Sequence, residues 1–431
     1  MAEFKPVLLT LPSLTPSLAV EVLPYGLTLH RIIVQADGRT HDIVIGPEQP
    51  EDHVSQKYTN TIVGRYANRI PVGTHHLERH GIQSEFTAMA NENPRVSLHG
   101  GPTGFDALPW TLLSADTPPT LFSAAELAHL SSPSSTHAIF RLISPDGDQG
   151  YPGKLVVEAL VALIGPGEQE DRLKMEDVNA HEHDLGSIVL VYRARLDENG
   201  KRVVTPVNLT QHWGFNLDAS LREEELPSVK DHALTIKSDR IAELGLDSLA
   251  AGSFLQTCDH PAHAHLAKRI GDLFPEKSYD DFYYLQNNRA NGIPTRIPLS
   301  SLDSNLDLIK DIVQPSNGAL RGIRPEPVVT LSAGKSGIKL VFDTNQHGVM
   351  FYANGLAKPS SGARKKIHGG SGISGHGDSY GPGTAAFLEF HEPLTAFLDS
   401  KNKDGEDTLL TTDELYVNYV RCDVRFKMTQ A

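Results

Sequence analysis

Val420-Arg421-Cys422-Asp423-Val424-Arg425-Phe426-Lys427 alternates apolar and charged side chains without a break. A period of two describes a β-strand with one face buried and the other in water. Outward from this stretch, residues 186–196 begin as a β-branched run and end in the same alternation. Residues 155–164 and 338–342 read as strands, and 18–34 as two strands about a turn at Pro24-Tyr25-Gly26. Helical periodicity is scarce; 262–273 and 301–313 are the best stretches for short helices. With 36 Gly and 28 Pro punctuating many short strands, the pattern predicts an all-β chain, a large antiparallel β-sandwich with few short helices. All 431 residues are read as one such domain, 1–431. It carries inserted loops at about 113–136 (Ser, Pro and Ala), 165–185 (acidic and His-rich) and 354–384 (Gly/Ser-rich around Arg364-Lys365-Lys366).

Composition narrows the function classes. Thirty-nine Lys+Arg against 53 Asp+Glu give a net charge of −14, the wrong sign for a protein that neutralises nucleic-acid phosphates. No apolar run approaches the ~20 residues that cross a bilayer. The opening Met-Ala-Glu-Phe-Lys-Pro has no secretory pattern, so a soluble, cytoplasmic protein is expected, a monomer or weak dimer with no nucleic-acid or membrane partner. Cys258 and Cys422 are too few for a disulfide framework or a Cys-rich zinc site.

Several short motifs invite a reading that their context denies. Gly370-Ser-Gly-Ile-Ser-Gly375 spells GxGxxG but lacks the preceding strand and following helix that place a phosphate at a helix N-terminus. Gly377-Asp-Ser-Tyr-Gly381 spells GxSxG, again without strand-turn-helix context, and His391 follows it too closely for a hydrolase triad. Ala333-Gly-Lys-Ser336 reads as a tight turn. His181, His183 and Asp184, or Cys258, Asp259, His260, His263 and His265, have zinc-ligand types but no recognised spacing, so no metal is expected.

Other segments are polar where plain β-architecture has no need of it. Gly64-Arg-Tyr-Ala-Asn-Arg-Ile70 sets Asn68 beside Arg69. His99 sits beside two glycines in Ser97-Leu-His-Gly-Gly-Pro-Thr-Gly-Phe-Asp106, which would let backbone approach a ligand closely. Ser144-Pro-Asp-Gly-Asp-Gln-Gly-Tyr-Pro-Gly153 is a dense turn. Asn208-Leu-Thr-Gln-His-Trp-Gly-Phe-Asn-Leu217 embeds His212 among aromatics and amides. Tyr279-Asp280, Gln346 in Thr344-Asn-Gln-His-Gly348, and Glu389 in Phe387-Leu-Glu-Phe-His391 complete the set.

Together, and in this order, these segments resemble the aldose 1-epimerase (galactose mutarotase) family, across residues 20 to 426. The resemblance implies the galactose mutarotase-like supersandwich fold and interconversion of the α and β anomers of free hexoses, galactose or glucose, without a cofactor. It further implies His212 as general acid and Glu389 as general base, with His99, Asn68, Arg69, Asp280 and Gln346 contacting the sugar's hydroxyls and ring oxygen.

The chemistry agrees with those residue types. Ring opening removes the proton from O1 and protonates the ring oxygen O5, so one base and one acid must flank C1. Glu389 between Leu388 and Phe390 is expected to be desolvated, which strengthens a carboxylate as a base. Asp280 is the candidate carboxylate for keeping His212 protonated, with Asp281 one position away. Trp213 or Tyr283 is expected to stack on the sugar. The chain departs from the family at Gly214, where Tyr is common, at His347, where Pro is usual, and in Phe390-His-Glu-Pro-Leu-Thr395 after the glutamate. The 354–384 insertion directly precedes Glu389 and is placed to lie over the pocket. Three alternatives stand beside this reading. One is a catalytically silent carbohydrate-binding protein on the same scaffold; another is an epimerase of a phosphorylated or unusual sugar. The third is a glycoside hydrolase or lyase using Asp280 and Glu389.

Overall fold

The C-terminal strand, Glu414–Lys427, lies inside a ten-stranded antiparallel sheet, between Glu182–Leu196 and Ile338–Thr344. The computed structural model describes residues 2–131, 135–166, 182–222, 228–286, 292–314, 327–360, 362–399 and 406–428. Beyond these neighbours the sheet continues through Leu155–Ile164 and Ser135–Ser144 on one side and Val329–Ser332 on the other. Residues 18–34 form Leu18–Leu23 and part of Thr28–Ala36, joined at the expected turn. Ala333–Ser336 forms the turn between paired strands.

The wet face expected of 420–427 is only partly there, with Lys427 exposed and Arg425 half-buried. Arg421 and Asp423 are buried, bonded to each other at 2.7 Å and to Ser187, while the backbone carbonyls of Ile312 and Gln314 accept from Arg421. A second apolar cluster, including Phe122, Val189, Ile309, Ile312, Val313 and Tyr419, covers that side. Leu155–Ile164 is buried at every position, so the large sheet has apolar packing on both faces.

The two stretches read as helices are not helical. Residues 261–269 hold a single 3-10 turn, Pro261–His263, and the short strand Lys268–Arg269. Residues 301–313 follow a 3-10 turn at Leu299–Ser301 as bends that lay Ile309, Ile312 and Val313 on the sheet. Tertiary burial of spaced apolar residues produced their period without a helix. The α-helix of the described residues, Ala124–His129, lies instead in the first insertion. Ser123 and Glu126 form its capping box, and Glu126 pairs with Arg193, both side chains wholly buried. None of the described helices is long and apolar enough to cross a membrane. Most of the 165–185 insertion, including His181, lies outside the described residues.

Facing the large sheet is a six-stranded antiparallel sheet, in the order Gly214–Phe215, Ala386–His391, Gly348–Tyr352, Asp280–Leu285, Ser238–Leu244 and Ala250–Gln256. Its strands alternate between two destinations. Ala386, Leu388, Phe390, Val349 and Phe351 join the main core, where Phe390 meets Phe342 of the large sheet at a ring separation of 5.3 Å. Phe387, Glu389 and His391 therefore turn the other way, beside Met350, which pairs with Glu389, and Phe282, which pairs with Met350. Gly348 is required in this row: a Cβ there would lie 1.9 Å from the Phe282 ring.

Candidate active site

Segments carrying His99 and His212 meet the outer row of the six-stranded sheet beside Phe387 and Glu389. His212 leads into Gly214–Phe215, which pairs with Ala386–Phe387, so His212 falls beside Glu389. The two are joined from Nε2 to Oε1 at 3.0 Å, with 9% and 3% of their side chains exposed. Burial alone pulls an imidazole down, but the Glu389 charge and hydrogen bond more than offset it and hold His212 above the ordinary histidine value. The carboxylate that keeps His212 charged is thus Glu389 itself, not Asp280, with a smaller contribution from Asp106. Asp106 is buried and pushed up to about 6, chiefly by that burial.

Asn68 and His99 hold each other. The Asn68 backbone N–H donates to His99 Nδ1 at 3.2 Å, and the His99 N–H donates to the Asn68 carbonyl at 3.1 Å. Both residues have left-handed φ, 64° and 51°. The His99 ring lies 5.3 Å from that of His212. Gly100 serves chain packing, not ligand approach as expected: a Cβ there would sit 2.0 Å from the Gly64 carbonyl oxygen, where two motif loops cross. Arg69 forms a two-pronged bond with Glu92 and reaches Asp280 at 3.5 Å. Asp280 is pushed up to about 6, by burial first, against the pull of Arg69. The strand pleat separates Asp280, on the Glu389 side, from Asp281, which faces His263 at 3.8 Å.

Gln346 is not brought to this cluster. It is fully buried in the turn before Gly348–Tyr352, bonded to Thr344 and accepting from Asn418 at 3.2 Å. The position facing Glu389 is Met350. Neither proposed stacking ring reaches the site either. Trp213 and Tyr283 point into the main core, and the Tyr283 hydroxyl sits between His263 and His265. Arg65, in the first motif, turns inward to Ser144 and the carbonyls of Pro145 and Pro152, so the 144–153 motif is its structural cradle.

Sequence reading missed Tyr58, Phe387, Met350 and His391. The parity of Glu389 along its strand points to Phe387 and His391, and cross-strand pairing to Met350. Tyr58, whose ring lies 4.7 Å from His99, sits in an irregular loop and left no signal. The 354–384 insertion braces that loop: a Cβ on Gly362 would lie 2.7 Å from the Gln56 side chain.

His99, His212 and Glu389 bring donor atoms within 4.8 Å of one another, a set that zinc accepts in general. The tautomer argues otherwise. His99 Nδ1 accepts the Asn68 N–H, so the proton of the neutral ring is on Nε2, and a protonated nitrogen is a donor, not a ligand. The arrangement suits proton movement better than cation binding.

Fold and site together define an all-β sandwich protein with a buried imidazole–carboxylate pair on the outer face of its smaller sheet. Residues 13–176 match the family model described as Aldose 1-epimerase. Galactose mutarotase of Bos taurus is 33% identical over 224 residues, 52% of this chain and 50% of that protein. Aldose 1-epimerase of Escherichia coli K12 is 28% identical over 297 residues, 68% of this chain and 71% of that protein. The chain thus spans about half the length of the curated mammalian mutarotases it matches. An aldose epimerase homologue from C. elegans shares the fold, with a TM-score of 0.64 at 18% identity over 96% of this chain and 97% of that one. Over these stretches the chain is similar to the aldose 1-epimerase family.

Proposed function

We propose that this protein is an aldose 1-epimerase acting on free hexoses of the galactose and glucose type, with Glu389 as base and His212 as acid. The contact between these two side chains, 3.0 Å, carries the reading. Groups within hydrogen-bond reach of each other are close enough to serve O1 and O5, two oxygens on one carbon.

The steps balance without a further reactant. Glu389 takes the O1 proton as the C1–O5 bond breaks; the bond's electron pair passes to O5, which takes the His212 proton. O1 becomes the aldehyde oxygen. Rotation about C1–C2 presents the other carbonyl face, and closure returns each proton to its source. His99 Nε2–H, Arg69 and Asp280 supply donors and acceptors for the remaining hydroxyls. A silent binder has no use for a buried acid–base pair, and a phosphosugar would need cationic groups beyond Arg69, which Glu92 and Asp280 already engage. A cytoplasmic setting and a monomer or weak dimer complete the reading.

The test follows fresh α-D-galactose and α-D-glucose by polarimetry or NMR. Protein-dependent acceleration toward the anomeric equilibrium is expected, and none with either sugar removes the assignment. The proton state of His212 has its own check. Its NMR titration, assigned with His212→Gln, should run above the ordinary histidine value of 6.5, the acid form being lost as pH rises through the raised value. In Glu389→Gln the attraction goes and the burial penalty stays, so the midpoint should fall below 6.5.

A further inference from the structure

Three histidines surround Glu389, and the steps above use only two. His391 stands two residues beyond Glu389 in Ala386–His391, so the pleat turns both side chains to one face. Its Nδ1 lies 2.7 Å from the Glu392 carbonyl oxygen, which can only accept, so Nδ1 carries the proton. Burial holds the ring below the ordinary histidine value, against the pull of Glu389, and leaves Nε2 a bare acceptor. The ring is fixed against Phe282 at 4.9 Å. Yet Nε2 is buried with no partner among the described residues, and Glu389 Oε2 is in the same condition. A buried acceptor without a donor loses its hydration uncompensated, and His391, unlike the similarly half-bonded His265, shares its strand face with a second such acceptor, Glu389 Oε2. Two such acceptors on one strand face suit a ligand that brings two donors.

We propose that His391 is a substrate-binding residue, whose Nε2 accepts a hydrogen bond from the C2 hydroxyl of the aldose while Glu389 Oε2 takes the proton of O1. C1 has two ring neighbours. The ring oxygen faces His212; the other, C2, carries the hydroxyl nearest O1. The assignment rests on the acid–base reading above and deepens it.

Calorimetric binding of galactose and its 2-, 3- and 4-deoxy analogues separates the possibilities, with mutarotation rates measured in parallel. The wild type should bind 2-deoxygalactose about tenfold more weakly than galactose, and His391→Phe should bind both sugars at that weaker level. His391→Gln, whose amide oxygen keeps an acceptor at similar reach, should retain most of the discrimination. If His391→Phe does not fold, His391→Met carries the same comparison. Undiminished discrimination in the variant, or coupling to the 3- or 4-hydroxyl instead, overturns the proposal. Binding that depends on C2 and His391 without any acceleration of mutarotation removes the catalytic reading and keeps this contact. Failure to bind any of the sugars removes both.

Discussion

Glu389→Gln should slow the interconversion of galactose anomers by at least about a hundredfold, the low end of what one positioned proton-transfer group contributes. The substitution keeps shape and volume in a position that is 2% exposed, so the packing of Phe387, Met350 and the strand is preserved. What it removes is an oxygen able to take the O1 proton, because an amide has no basicity at neutral pH. His212→Gln should lose a similar factor for the opposite reason: a neutral amide cannot deliver a proton to O5. The two groups act as one relay, joined at 3.0 Å, so the double variant should be hardly slower than either single one. The measurement is the approach of fresh α-D-galactose to its anomeric equilibrium, with a denaturation midpoint to show that each variant is folded. Wild-type rates in both single variants eliminate the mechanism.

Lys365→Met should destabilise the protein by about 3–5 kcal/mol, the usual cost of leaving a buried charge without its partner. Lys365 lies in the 354–384 insertion, within the basic stretch Arg364-Lys365-Lys366. In the folded chain its side chain is wholly buried, and Nζ donates to Asp42 at 2.8 Å and to the carbonyls of His30 and Val44. His368, three residues on, bonds the Asp42 carbonyl and the Tyr380 hydroxyl. These contacts pin the insertion to the N-terminal strands Thr28–Ala36 and Arg39–Asp42. Removing the ammonium leaves the Asp42 charge facing the more distant Arg31, at 3.4 Å. Asp42→Asn added to Lys365→Met should recover part of the loss. The amide oxygen still accepts from the Ile32 and Val44 N–H groups that Asp42 now serves, and no charge is left buried. Urea denaturation reads both variants. A loss below about 1 kcal/mol, the range of exposed ion pairs, would show that the insertion is not anchored through this pair.

Much of the outline was legible because strands write their period directly into the chain. Residues 155–164, 186–196, 338–342 and 420–427 read as strands and lie in strands. The errors share one cause: a local pattern does not reveal what packs on it. Arg421 and Asp423 have charged side chains and were assigned to water, but the bends at 301–313 close over them. Gln346 has a suitable functional group, yet its neighbour across the chain is Asn418 and not a ligand pocket. Trp213 follows His212 directly, so the pleat sends it to the opposite side, into the core.

The strand alternation sufficed for the sandwich class, and the order of motifs for proposing His212 and Glu389 as a proton-handling pair among Asn68, Arg69, His99 and Asp280. These are properties of residue type and spacing, which the linear chain holds in full. Contact between His212 and Glu389, the turning of Asp281 and Gln346 away from them, and the inclusion of Met350, Tyr58 and His391 depend on which strands and loops are neighbours. His212 and Glu389 come from segments more than a hundred residues apart. The choice of such neighbours follows from burying both faces of the large sheet and one face of the smaller one together, a condition on the whole chain that no single stretch expresses.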